Sequence, residues 1–189
     1  YSRIARGLEK ADLVLKNARI VNVFTEEIIR GDIAIQDGII AGIGSFHGKE
    51  ERDLAGRYVC PGFIDSHLHL ESTLVTPAEL VTVASRHGTT TFIVDPHESA
   101  NVSGLAGIDY ILDQTEDVKA NVYVMMPSCV PATAIDDNGC TLTAEDMVPY
   151  LHNSRILGLG EVMDSISVVQ GDKTMHDKLE LFEGRIRDG

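Results

Sequence analysis

Hydrophobic and polar residues follow different patterns in the two parts of the chain. Up to about Tyr58, short runs rich in β-branched residues alternate with polar turns. The runs 33–36 and 39–43 are separated by Asp37-Gly38, a pair that supplies the positive φ angles of a two-residue hairpin turn. This pattern predicts a small antiparallel sheet, interpreted as a β-sandwich-type domain over residues 1–58. It contains no cluster of reactive side chains, which indicates a scaffold.

From Val59 onward, apolar strand-like runs alternate with helical segments. Thr76-Pro77 followed by Glu79 predicts a helix start, with a capping threonine and a proline at the first helical position. Strands are predicted over 59–69, 89–95, 121–126 and 156–162, and helices over 76–88, 105–114, 143–152 and 178–186. Strands that alternate with helices indicate βαβ units and a parallel sheet. Four such units are half of a (β/α)8 barrel, so residues 59–189 of this α/β protein are predicted to form the first, incomplete half.

Composition narrows the class of protein. A hydrophobic content of 43% with 24% charged residues is typical of a globular protein with a core. A formal net charge of -13 without a cluster of basic residues argues against nucleic-acid and membrane-surface binding. No apolar run has the length of a membrane span and the first residues lack a signal-peptide pattern, which predicts a cytoplasmic protein. Three cysteines without a C-x-x-C pair favour reduced thiols.

Polar side chains gather where each predicted strand of the second part ends. In a parallel barrel these ends share the face on which active sites are built. Because side chains alternate along a strand, His67 and His69 are expected to point to the same side and to share one cation. Neutral imidazole suits zinc, iron and related ions. The other polar residues at strand ends are Asp65, Asp95, His97, Glu98, Ser128, Cys129 and Glu161.

Several longer motifs resemble those of the amidohydrolase superfamily, whose first barrel strand ends in such a histidine pair. Within that superfamily they are most similar to the adenine deaminase family of bacteria. The similarity extends from about residue 12 to the end of the chain. The segments that carry it are the hairpin 31–38, Pro61 to Ser72, His87 to Thr91, Asp95 to Glu98 with Ala100-Asn101-Val102, Met126 to Thr133, and Gly158 to Met163.

The resemblance implies a metal-dependent hydrolase that converts adenine to hypoxanthine and ammonia in purine salvage. It implies a binuclear divalent metal centre of manganese or iron, with zinc also possible. His67 and His69 would hold one metal, and Glu161 would bridge the two. It places Glu98 and Asp95 in the active site, with Glu98 near the purine. Further ligands are expected from later strands, the next motif beginning at about Asp188-Gly189, so the sequence is expected to be incomplete.

The residues themselves leave some roles open. Asp95 and Glu98 are candidates for proton transfer, because deamination must activate water and protonate both a ring nitrogen and the leaving amine. Asp95 is equally suited to orient a metal-bound histidine, and His97 is equally suited to a structural role. The absence of a P-C-x-x-C motif excludes the other zinc nucleobase deaminase fold, although His69-Leu70-Glu71 matches its H-x-E.

Two other functions are compatible with the sequence. One is a different amidohydrolase that acts on a cyclic amide or amidine, since a fold does not fix its substrate. The other is a non-catalytic fragment that binds metal weakly. A half-barrel exposes strand edges that another segment must cover, so further chain or a partner, and a homo-oligomer, are expected.

Overall fold

The computed structural model describes residues 1–187 and divides into two compact units, of which the first is Tyr1–Pro61 and the second begins at Gly62. The first unit contains one five-stranded sheet in the order β3-β2-β1-β4, with β5 paired to β1. Its elements are α1 (Ser2–Ala5), β1 (Ala11–Asn22), β2 (Glu27–Gln36), β3 (Ile39–Gly44), β4 (Gly48–Asp53) and β5 (Tyr58–Val59). Asp188 and Gly189, where the next histidine motif is expected to begin, lie outside the described residues.

The predicted hairpin is confirmed. Strands β2 and β3 pair antiparallel around Asp37 and Gly38, whose φ angles are 51° and 76°. The prediction of a purely antiparallel sheet is wrong, because β4 and β5 pair parallel with β1. Strand β4 is a charged, exposed edge strand, so it leaves no alternating hydrophobic pattern. The interpretation as a β-sandwich-type domain stays a prediction.

The second unit is a parallel α/β structure, as predicted. Its five strands lie in the order β10-β9-β8-β7-β6, and every neighbouring pair is parallel. The strands are β6 (Phe63–Leu68), β7 (Thr89–Val94), β8 (Asn121–Met126), β9 (Ile156–Leu159) and β10 (Ile186–Arg187). The helices are α2 (Pro77–Ser85), α3 (His97–Ser103), α4 (Leu105–Gln114), α5 (Ala144–Met147), α6 (Ser165–Gln170) and α7 (Lys173–Leu181), with 3-10 turns at Glu71–Thr73 and Val148–His152.

Two predicted elements are interrupted by proline. The run 59–69 is not one strand, because Pro61 has no N–H to donate and the chain leaves β5 before β6 begins. The helix predicted over 143–152 begins as expected, with a capping box between Thr143 and Asp146. It becomes a 3-10 turn from Val148, because Pro149 removes a further backbone donor.

The last predicted helix is displaced. The structure has α7 at Lys173–Leu181 rather than over 178–186, and Ile186 lies in β10. The helix begins where Asp172 accepts a hydrogen bond from the backbone N–H of Met175. Gly184 has a φ of 78°, which a right-handed helix excludes. The helix therefore begins at the Asp172 cap and cannot continue through Gly184.

A single apolar core holds the second unit together. The strands contribute side chains such as Phe92, Val94 and Val124, and the helices pack Ile108 and Phe182 against them. All five of these side chains are almost completely buried. Among residues 1–187, no helix is both long and apolar enough to cross a membrane. The core fixes the strands, and through them the residues that follow each strand.

Candidate metal centre

The carboxyl ends of four neighbouring strands meet at one edge of the parallel sheet. Leu68 of β6 pairs with Val94 of β7, which in turn pairs with Val124 of β8. Met126, the last residue of β8, pairs with Leu159, the last residue of β9. The residues that follow these positions therefore lie side by side. They are His69, Asp95, Ser128 and Glu161.

The structure brings His67, His69 and Glu161 together, as the sequence predicts. The two imidazole rings are 5.0 Å apart between centroids and nearly perpendicular, at 82°. One carboxylate oxygen of Glu161 lies 3.3 Å from His69 Nε2, and the other lies 3.8 Å from His67 Nε2. Two imidazole nitrogens thus face one carboxylate across a gap, with the end of β6 and the segment after β9 supplying the ligand atoms.

The donor set fits a divalent metal. Within the described residues, the ligand atoms of His67, His69 and Glu161 all lie within 4.8 Å of one another, and the same holds for Asp95, His97 and Glu161. Imidazole nitrogen and carboxylate oxygen are donors that zinc, iron and manganese accept. Glu161 belongs to both groups, so its carboxylate is placed between two sets of possible ligands.

The second nitrogen of the His69 ring faces another carboxylate. His69 Nδ1 lies 3.2 Å from Oε2 of Glu98, a close polar contact whose angles fall short of a hydrogen bond. A histidine that binds metal through one nitrogen commonly presents the other to a carboxylate, which fixes its tautomer and ring orientation. Glu98 therefore touches a predicted metal ligand as well as facing the cavity.

Glu98 is paired with a second carboxyl group, that of Glu71. Burial raises the pKa of Glu71, and the neighbouring charge of Glu98 adds to the increase. Burial opposes ionisation of Glu98 too, but its hydrogen bond with Glu71 and the charge of His69 lower its pKa overall. The two carboxyl groups are therefore coupled, with the pKa of Glu71 raised and that of Glu98 lowered.

Asp95 and His97 form a buried pair beside Glu161. Their exposed fractions are 1% and 5%. Oδ2 of Asp95 accepts a hydrogen bond from the backbone N–H of Glu161 at 2.9 Å. Oδ1 lies 2.5 Å from His97 Nδ1, although the angle is not that of a hydrogen bond. His97 Nε2 accepts from the N–H of Cys129, so the ring proton is assigned to Nδ1. Asp95 thus contacts the main chain of a predicted ligand.

A second contact fixes Glu161 from the opposite side. The hydroxyl of Ser128 donates to the backbone carbonyl of Glu161 at 2.5 Å. The ammonium group of Lys178, in α7, donates to the carbonyl of Ser128 at 2.8 Å. Burial lowers the pKa of Lys178, whose exposed fraction is 4%. The backbone of Glu161 is therefore held at its N–H by Asp95 and at its carbonyl by Ser128.

A cavity of about 460 Å³ opens over His69, His97, Glu98 and Glu161. This volume lies within the range of small-molecule sites. The cavity combines predicted site residues with polar and apolar side chains from α3 and from the loops that follow β8 and β9. Its lining residues are His69, His97, Glu98, Asn101, Val102, Cys129, Ala132, Asp136, Glu161 and Met163.

Two contributors to the site were not predicted from sequence. Lys178 occupies a buried stripe with Met175 and Phe182, and a lysine among such apolar positions is the signal that could have revealed it. Glu71 follows His69 closely enough to touch the site, but its partners depend on the loop conformation. The roles of the predicted residues stay predictions.

Comparison with known proteins identifies the class. Residues 58–184 match the family model described as "Amidohydrolase family", and the chain belongs to this family. Membership implies the use of a divalent metal, which the donor set accommodates. The fold is also similar to that of a solved structure, N-acyl-D-glutamate deacylase from Bordetella bronchiseptica complexed with zinc and a phosphonate inhibitor. The TM-score is 0.54 at 19% identity, over 95% of this chain and 38% of that one.

Individual relatives are much more similar in sequence. The chain is 60% identical over 183 residues to adenine deaminase of Desulfitobacterium hafniense, which covers 97% of this chain and 32% of the relative. It is 50% identical over 182 residues to adenine deaminase of Geobacillus kaustophilus, covering 95% of this chain and 32% of that protein. The chain thus spans about a third of the length of the curated relatives it matches.

Proposed function

We propose that this chain is the N-terminal portion of an adenine deaminase, which hydrolyses adenine to hypoxanthine and ammonia in purine salvage. The observation that carries the proposal is the group formed by His67, His69 and Glu161. His69 and Glu161 line one cavity together with Glu98. The identity of 60% to a curated adenine deaminase supports the choice of substrate.

The architecture proposed for the whole protein follows from the two units. Residues 59–189 form the first half of a (β/α)8 barrel, which five parallel strands with their helices support. Residues 1–58 belong to a β-sandwich-type domain. A cytoplasmic homo-oligomer without nucleic-acid or membrane partners stays a prediction, and light scattering on the purified protein tests its oligomeric part.

The proposed cofactor is a pair of divalent metal ions. His67 and His69 would hold one ion, Glu161 would be shared with the second, and the remaining ligands would come from later strands. Manganese and iron are favoured, and the same nitrogen and oxygen donors accept zinc. When bound, the metal lowers the pKa of water, so that a nucleophile is available near neutral pH.

The reaction replaces the amino group at C6 of adenine by oxygen from water. A C–O bond forms, the C–N bond breaks, and protons must reach a ring nitrogen and the leaving amine. Glu98 lines the cavity and contacts His69, which supports a role for it in moving a proton between water and the purine ring. Asp95 is buried against Glu161 and His97, a position that suits orientation or relay rather than direct contact with the ring.

The test is a deamination assay on the full-length protein that contains this chain. Metal content is measured in parallel, and hypoxanthine formation is followed by absorbance. A full-length protein with normal metal content that leaves adenine unchanged, while hydrolysing another cyclic amidine or amide, would assign a different substrate. Turnover by residues 1–189 alone would contradict the view that this part of the site is incomplete.

A further inference from the structure

Glu71 joins two parts of the site that are distant in sequence. It begins the 3-10 turn that follows β6, two residues after His69. Its Oε1 accepts hydrogen bonds from the backbone N–H groups of Glu98 and Ser99, at 3.1 and 3.2 Å. The end of β6 is thereby linked to the start of α3, although 27 residues separate the two partners of the first bond.

These two hydrogen bonds cap the N-terminus of α3, which has no capping side chain of its own. The residue before α3 is Pro96, which has no side-chain acceptor to offer, and the first N–H groups of a helix need one. Glu71 supplies that acceptor from another segment. His97 and Glu98 are the first two residues of α3, so the bond fixes the main chain that carries both of them.

The same carboxyl group is close to the reactive side chains. Ligand atoms of His69, Glu71 and Glu98 lie within 4.8 Å of one another. Oε2 of Glu71 is buried. Nδ1 of His69 lies 3.2 Å from Oε2 of Glu98. Glu98 therefore has both His69 and Glu71 as close neighbours.

We infer that Glu71 is a positioning residue that holds Glu98 against His69 by capping the first turn of α3. The inference rests on the proposed function, in which Glu98 serves proton transfer. A metal-ligand role for Glu71 is the competing explanation. It is less favoured because Oε1 already accepts two backbone hydrogen atoms.

The experiment compares Glu71→Gln and Glu71→Ala in the full-length protein, with the exposed residue Glu79 changed to alanine as the control. Glutamine retains a carbonyl oxygen that accepts both N–H groups, whereas alanine retains none. We expect kcat for adenine to fall about 10- to 100-fold in Glu71→Ala, the range reported for partners of metal ligands, and by less than about 3-fold in Glu71→Gln. KM and metal content are expected to change little in either variant.

Hydrogen–deuterium exchange supplies a readout that does not depend on activity. Peptides that cover residues 97–103 are expected to exchange faster in Glu71→Ala than in the wild-type protein or in Glu71→Gln. Wild-type kcat together with wild-type exchange in Glu71→Ala would overturn the inference. Loss of metal from Glu71→Gln would overturn it in favour of a ligand role.

The same experiment also distinguishes failure of the proposed function from failure of Glu71→Ala to fold. If the wild-type protein binds metal but does not deaminate adenine, the proposed function fails, and exchange over 97–103 still decides the capping role. If Glu71→Ala does not fold, Glu71→Asp replaces it, because a side chain shorter by one methylene cannot span the same distance. An unchanged kcat and unchanged exchange in Glu71→Asp would then overturn the inference.

Discussion

The carboxylate of Asp95 accepts a hydrogen bond from the backbone N–H of Glu161 at 2.9 Å, which joins the end of β7 to the end of β9. This bond crosses β8, which lies between the two strands in the sheet. A residue that follows one strand thereby fixes the main chain of a predicted ligand two strands away. Substitution of Asp95 should therefore change the activity of the proposed enzyme.

Asp95→Asn is expected to reduce kcat about 10- to 100-fold, because partners that orient a ligand contribute that much. One oxygen of Asp95 faces the N–H of Glu161 and the other faces His97 Nδ1, so an asparagine NH2 must oppose one of the two donors. Steady-state kinetics and metal analysis check the prediction. A kcat and a metal content equal to those of the wild-type protein would show that neither oxygen of Asp95 contributes to activity or to metal binding.

His67→Ala and His69→Ala are each expected to lower the metal content of the purified full-length protein and to abolish deamination. Both remove an imidazole nitrogen that faces Glu161. Elemental analysis by mass spectrometry provides the measurement. His152→Ala is the matched control, because His152 is exposed on a 3-10 turn. Unchanged metal content in either site variant would make that ligand assignment wrong.

Lys178→Met tests the buried ammonium group. The variant leaves the carbonyl of Ser128 without its donor, which typically costs about 1–3 kcal/mol of unfolding free energy at neutral pH. Removing a buried charge offsets part of that loss, since burial lowers the pKa of Lys178 below its ordinary value of 10.5.

The lowered pKa of Lys178 also determines how the free energy of unfolding changes with pH. The unfolded state binds more protons between the lowered pKa and 10.5, so Lys178 makes the wild-type protein gain stability as pH rises through that window. The free-energy difference between wild type and Lys178→Met is therefore expected to increase toward alkaline pH. Urea unfolding of both proteins at pH 7 and pH 9.5 measures it, and a difference that decreases with pH would contradict the assignment.

Asp32→Asn probes the first unit. Burial opposes ionisation of Asp32, but its bonds with Lys16 and with the N–H groups of Asn17 and Phe46 lower its pKa overall. A lowered pKa contributes stability that is present above the ordinary value and is lost as pH falls through the folded-state value. The variant is expected to lose about 1–3 kcal/mol near neutral pH.

Hydrogen exchange of peptides that contain Asn17 and Phe46 provides the measurement. Protection of these amides is expected to fall in Asp32→Asn at pH 7, and the difference from wild type should shrink toward pH 3. Asp113→Asn, at an exposed site on α4, is the control. Equal protection at pH 7 would mean that the bonds to Asp32 do not stabilise this unit.

Features that depend on neighbouring residues were predictable from the sequence. The Asp37-Gly38 turn and the Thr76 cap of α2 both occur as predicted, because the bonding groups lie within a few residues of each other. Strand β8 begins and ends at the predicted residues. The gathering of His67, His69 and Glu161 followed from one rule, that parallel strands bring their carboxyl ends to one edge.

Features that depend on distant contacts were not predictable. Helix α3 was missed because its capping acceptor, Glu71, belongs to a different segment. Lys178 finds its acceptor 50 residues earlier in the chain, on Ser128. The parallel pairing of β4 with β1 likewise joins residues with no local signal. In each case the deciding partner becomes a neighbour only after the chain has folded.

The close approach of Asp95 to the main chain also restricts how the sequence can vary. A Cβ atom at residue 160 would overlap the carboxylate of Asp95, so glycine is required there while aspartate occupies position 95. The two positions are 65 residues apart, yet a change at one limits the choices at the other. In a library that randomises both positions, functional variants that keep Asp95 should also keep glycine at 160. A substitution at 160 should survive only where the side chain at 95 has become smaller.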